Sequence, residues 1–128
     1  MKIHAALAAS AATFLTLAAT AAYTADKPAP RECFWTRQAD GFAAQDDHTV
    51  NVRVSVRDVY QFKLLGSCPD IDWNQRIALI SRGGSNICSG MDAEFVTHSP
   101  IGPQRCVATA MHKLTPEEVA ALPRKARP

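Results

Sequence analysis

From Thr49 to Val56 apolar and polar positions alternate without a break. Val50, Val52, Val54 and Val56 fall on one side, and Asn51, Arg53 and Ser55 on the other. A strict period of two predicts a strand with one buried and one wet face, as in an antiparallel sheet. Arg57-Asp58 interrupts the run. Tyr60, Phe62 and Leu64 then alternate with Gln61 and Lys63, which predicts the return arm of a hairpin. A first strand is expected over Glu32–Gln38, before a turn region marked by Gly41 and Gln45-Asp46-Asp47. Ile77 to Ser81 reads as a short strand. The glycine-rich segment Arg82-Gly83-Gly84-Ser85-Asn86 reads as a hairpin loop, with Ile87-Cys88 starting the way back. Gly90, Pro100, Gly102 and Pro103 bound segments expected to be irregular. Arg105 to Lys113 gives a last strand, with Val107, Thr109 and Met111 alternating with Ala108 and Ala110.

One helix start is explicit. Thr115 is placed to cap, Pro116 stands at the first helical position, and Glu118 follows the cap by three residues. Leu114 and Val119 occupy the two positions of a hydrophobic staple, and Pro123 ends the helix. The expected fold is mainly β: a small disulfide-stapled antiparallel sheet or partly closed barrel with one short C-terminal helix. It occupies residues 32–122, and a basic tail at 123–128 is expected to fray.

The first 22 residues follow a different logic. Lys2 precedes an uncharged, alanine-rich run with Leu7, Phe14, Leu15 and Leu17, which ends in the small residues Ala19-Thr20-Ala21-Ala22. This is the layout of a secretory signal peptide cleaved at about Ala22. A retained anchor is disfavoured by the low hydrophobicity of the run. Lipidation is disfavoured because the first cysteine, Cys33, stands well past the cleavage region. No twin arginine is present, so the general secretion route is expected. Residues 23–31 read as a flexible lead-in. A periplasmic or secreted location follows.

Composition narrows the partners. The chain has 14 Lys+Arg against 12 Asp+Glu, a formal net charge of +2. Loss of Lys2 with the leader leaves the balance nearly neutral, which argues against a nucleic-acid partner. Four cysteines, Cys33, Cys68, Cys88 and Cys106, form an even set in an exported chain and read as two disulfides. No two are close enough to resemble a zinc motif. Spacing alone leaves three connectivities open. Cys33–Cys106 with Cys68–Cys88 is the favoured expectation, because it would tie an early strand to the last one and close a local loop. In the chain-entropy picture these would contribute about 4 and about 3 kcal/mol.

Candidate chemistry is sparse. Asp46-Asp47-His48 could be a metal cluster or an acid–base pair, but neighbours on an extended chain point opposite ways, and a solvated turn is the simpler reading. Asp70-Ile71-Asp72-Trp73-Asn74 begins like a calcium loop, yet the positions needing glycine and glutamate hold Gln75 and Ser81. Gly83-Gly84 lacks the frame of a phosphate loop. His48, His98 and His112 are scattered. A Cys–His nucleophile would need Cys88 as a free thiol. Trp35, Trp73 and Tyr60 could line an apolar groove, although core packing is the ordinary use of such residues. No cofactor or metal is expected, and the catalytic residues are unassigned.

The cysteine contexts carry a resemblance. They comprise Cys33-Phe34, Tyr60 ahead of Gly66-Ser67-Cys68, Ile87-Cys88-Ser89-Gly90 with Asp92 nearby, and Cys106-Val107 ahead of the Leu114-Thr115-x-x-Glu118 helix start. Over residues 32–122 the chain resembles a group of small exported bacterial proteins catalogued as a domain of unknown function. In that pattern an acidic residue often follows the glycine directly, whereas here Met91 precedes Asp92. The resemblance implies export and a compact domain, and it implies no activity. The leading expectation is a non-enzymatic envelope domain that binds a protein or small ligand. The alternatives are a small hydrolase or metal-dependent enzyme using His48, Asp47 or His112, and a secreted protein inhibitor.

Overall fold

The computed structural model describes residues 32–74 and 76–128; the expected leader and lead-in lie outside them. The strands are β1 (Phe34–Trp35), β2 (Ala39–Asp46), β3 (Thr49–Val54), β4 (Asp58–Leu64), β5 (Ile77–Ser81), β6 (Asn86–Ile87), β7 (Ala93–Ser99) and β8 (Gly102–Lys113). One α-helix follows, α1 (Pro116–Ala121), and 3₁₀ turns occupy Thr36–Gln38, Gly90–Asp92 and Arg124–Ala126. The fold is mainly β, as the alternation predicts. Six strands make an antiparallel sheet in the order β2-β3-β4-β8-β7-β5, curled into a half-barrel. The long β8 holds it together, because its first half pairs with β7 and its second half with β4.

The hollow of the half-barrel is filled from the sheet and from the small β1–β6 ladder. Val50, Val52 and Val54 of β3 and Tyr60, Phe62 and Leu64 of β4 point inward and are buried, together with Phe95 and Ala108. Phe34 and Ile87, opposite each other in β1–β6, close the open side. The rings of Phe34 and Tyr60 lie 4.9 Å apart, and those of Phe62 and Phe95 meet edge-on at 5.3 Å. Edge-on contact sets the positive rim of one ring against the negative face of the other.

Several expectations need correction. The disulfides are Cys33–Cys88 and Cys68–Cys106. Cys33 and Cys88 continue the β1–β6 register one residue beyond the Phe34–Ile87 pair, so the bridge extends that ladder. Second, β5 and β6 do not form a hairpin: β5 pairs with β7, and β6 with β1. Third, two strands stand where turns or irregular chain were expected. β2 has an uneven pattern because its pairing with β3 shifts between Ala39 and Gly41 and again between Ala44 and Asp46. β7 buries Ala93, Phe95, Thr97 and Ser99, a stripe with little apolar contrast. The first strand is correspondingly shorter than expected, and a shift opposite Lys63–Leu64 puts Met111, rather than Ala110, next inward after Ala108 on β8.

Fourth, Val56 is not part of the inward row. Ser55 adopts a left-handed conformation (φ 57°), and β3 ends at Val54. Val56 lies exposed in the short turn to Asp58. Fifth, the second face of β3 is not wet, and the basic tail does not fray. Asn51 is fully buried, and its Nδ2 donates to the Ala126 carbonyl at 2.8 Å. Gln61, across from Asn51 on β4, donates to Asn51 Oδ1 at 3.1 Å. Arg127 donates to the carbonyls of Leu122 and Ala120, and Ala126 is buried. The tail thus covers a polar sheet face by satisfying its amides, which is why no apolar stripe announces the contact.

Candidate functional site

The chain between β4 and β5 is shaped by three anchors. Cys68 is buried and bridged to Cys106 on β8, Ile71 is buried, and Asn74 Nδ2 donates to the His98 carbonyl on β7. Between the first two, Asp70 takes a left-handed conformation (φ 62°), and its carbonyl accepts from the backbone N–H of Trp73 and Asn74. Asp tolerates this conformation better than most residues. With Ile71 turned in and Asn74 tied to β7, Trp73 is left outside at 84% exposure.

Two adjoining clefts meet there, each of about 300 Å³, and His98 belongs to both. One is walled by Asp70, Trp73, Asn74, His98 and Pro100. The other is walled by Arg76, Ile77, Ala78, Val96, Thr97 and His98. Thr97 Oγ1 is buried without a hydrogen-bond partner among the described residues. Ile101, in the β7–β8 turn, is exposed as well. Trp73 therefore departs from the core role that is ordinary for tryptophan. Tyr60 is core, and Trp35 is partly exposed beneath the Arg37 guanidinium, 5.1 Å from its ring.

The turn between β2 and β3 brings the sequence cluster together. Asp46, Asp47 and His48 place one potential ligand atom each within 4.8 Å of one another. Turn geometry, absent from an extended chain, makes this convergence possible. These groups also satisfy one another: the His48 N–H donates to Asp46 Oδ1 at 2.9 Å, and His48 Nδ1 lies 2.6 Å from Asp47 Oδ1. Ser67 Oγ donates to Asp47 Oδ2 at 2.5 Å. The Ser67 hydrogen bond, aided by His48, holds the Asp47 carboxyl below its ordinary value. Hydroxyl, carboxylate and imidazole are adjacent, but the carboxylate is in the middle. A serine nucleophile needs the imidazole against its hydroxyl, and here the three groups lock the turn to the loop after β4. The backbone bonds Cys68 N–H to Asp47 carbonyl and Leu64 N–H to His48 carbonyl reinforce that link.

The other candidates separate. His112 on β8 lies 3.4 Å from Glu118 of α1. Asp92 accepts from the backbone N–H groups of Cys88 and Ser89, closing a 3₁₀ turn. All four cysteines are paired, so Cys88 is not a thiol nucleophile. A further cleft of about 510 Å³ lies among Arg57, Asp58, Lys113, Leu114, Pro116 and Val119. Its Lys113 is occupied by Asp58 at 3.3 Å and Glu32 at 3.7 Å; the Asp58 bond leads in raising its pKa. Sequence reasoning named Trp73 and His98 separately and missed Asp70, Arg76 and Pro100 as their neighbours. The signal available was the Asp-x-Asp-Trp-Asn segment following a cysteine, read only as a failed calcium loop.

The two disulfides are compatible with a protein outside the cytoplasm; among the described residues no helix is long and apolar enough to cross a membrane. No curated protein and no solved structure matches the chain. A family model described as "Family of unknown function (DUF6491)" matches residues 1–128, and the chain belongs to that family.

Proposed function

We propose that the protein is an exported, non-enzymatic binding domain of the cell envelope, delivered by cleavage of its leader and engaging its ligand at the surface around Trp73. The observation that carries this reading is the display of Trp73 at 84% exposure on a loop fixed by a disulfide and a buried isoleucine. An indole left in water forgoes the burial of about 150–250 Å² that it makes available. Tryptophan is among the residues that dominate binding energy when such a surface is covered. Fixing the loop beforehand lowers the entropy lost on binding. Against enzymatic readings stands the arrangement at Asp47, whose polar groups are spent on one another. The test is a comparative capture from envelope extract with the protein and its Trp73→Ala variant. A species retained by the first and lost by the second, with both equally folded, is the expected result. Identical captures would remove Trp73 from the account.

A further inference from the structure

From the clefts around His98 we infer, resting on the binding-domain reading, the chemical class of the ligand: a pyranose sugar bearing a carboxylate. Trp73 offers an open indole face, with no cation stacked on it among the described residues. The C–H face of a pyranose is the apolar surface that lies flat on such a ring. A sugar also needs hydroxyl partners at the edge of the platform. Asp70 and His98 line the same cleft, both exposed, and neither side chain has a partner among the described residues. A carboxylate accepts from hydroxyls, and an imidazole does either. Asn74 is partly engaged, one amide N–H on the His98 carbonyl and its oxygen accepting from the Arg76 N–H. At about 300 Å³ the cleft is of a size that takes a small-molecule ring.

The second cleft supplies the anionic preference. Arg76 is exposed, forms no ion pair among the described residues, and lines the cleft that shares His98 with the Trp73 cleft. Guanidinium and carboxylate match as a two-pronged pair. Ile77, Ala78 and Val96 give that cleft an apolar floor. A ring on Trp73 would turn its carboxylate toward the neighbouring cleft, which holds Arg76, and leave Asp70 to its hydroxyls.

Two monosaccharides that differ only in this group give the test: methyl β-glucuronide and methyl β-glucoside, titrated against the protein with the tryptophan indole N–H signals followed by NMR. The Trp73 signal is expected to move with both, with a dissociation constant of about 1 mM for the glucuronide and binding at least fivefold weaker for the glucoside. Arg76→Gln should equalise the two sugars. Trp73→Ala should abolish both, read on the amides of Ala78 and His98. No shift at about 50 mM sugar, far above that constant, would overturn the assignment, as would equal affinities in the unmodified protein or binding that survives Trp73→Ala. If the sugars fail while Trp73-dependent capture from the envelope holds, the saccharide falls and the binding role stands. If both fail, the role falls too.

Discussion

Gly90 is a position where a single methyl group would be costly. A Cβ there would sit 2.3–2.4 Å from backbone atoms of Ala110, which have no flexible end to give way. The bare glycine lets the 3₁₀ turn after Cys88 lie directly on β8, and Asp92 closes that turn by accepting two N–H groups. Gly90→Ala should therefore lower stability by about 1–3 kcal/mol or more, as overpacking does. Gly83, with nothing within 4 Å of its virtual Cβ and no left-handed φ, is the control: Gly83→Ala should leave the urea midpoint nearly unchanged. Equal midpoints for both variants would mean that the turn does not rest on Ala110. At this scale the sequence was informative about type and silent about partner. Gly90 reads only as a boundary marker until the sheet curls β8 beneath it.

At the scale of elements, the capping box shows what local chemistry can predict unaided. Thr115 Oγ1 accepts from the Glu118 N–H at 3.2 Å, and Glu118 Oε2 accepts from the Thr115 N–H at 2.7 Å. Thr115→Ala should cost about 0.5–2 kcal/mol in a chemical unfolding experiment. The Thr115 N–H, helped by His112, holds the Glu118 carboxyl below its ordinary value of 4.5. A depressed folded value means a contribution that is complete above the ordinary value and lost as pH falls through the folded one. Glu118→Gln should therefore be less stable than the unmodified protein near neutrality. The difference should vanish in acid, where both side chains are uncharged; a gap that persists there would assign the loss to packing.

The docked tail is the opposite case. Nothing in Arg124-Lys125-Ala126-Arg127 signals burial, because the contact runs through the Ala126 carbonyl to an asparagine of a strand 75 positions away. The prediction is resistance of the native tail to trypsin at Arg124 and Lys125. Asn51→Val, which removes the donor, should open both sites, and equal cleavage in the two proteins would undo the contact. The legible elements, β3, β4, the end of β8 and the cap of α1, are those whose signals lie within a few residues. β2 and β7 were hidden because bulges break the period of one and small or polar inward residues blur the other. Of the site, the sequence supplied the tryptophan and the histidine. Their meeting depends on β7 returning beside the loop after Cys68.

For the molecule as a whole, the disulfides decide whether the half-barrel and its display loop are one unit. The bridges span 55 and 38 residues, each worth about 4 kcal/mol in the chain-entropy picture. Against the total stability of a domain this small, that is a large share. Cys33–Cys88 fastens the ladder that closes the core. Cys68–Cys106 fastens the loop that carries Trp73 to the strand that joins both halves of the sheet. The favoured pairing from spacing joined Cys33 to Cys106 to tie an early strand to the last one, and Cys68 to Cys88 to close a local loop. The sheet order instead sets β6 against β1. Non-reducing peptide mapping of the purified protein tests this most directly. The account predicts one fragment joining Cys33 to Cys88, one joining Cys68 to Cys106, and no alkylatable thiol. A map joining Cys68 to Cys88 and Cys33 to Cys106 would free the Trp73 loop from β8 and contradict it.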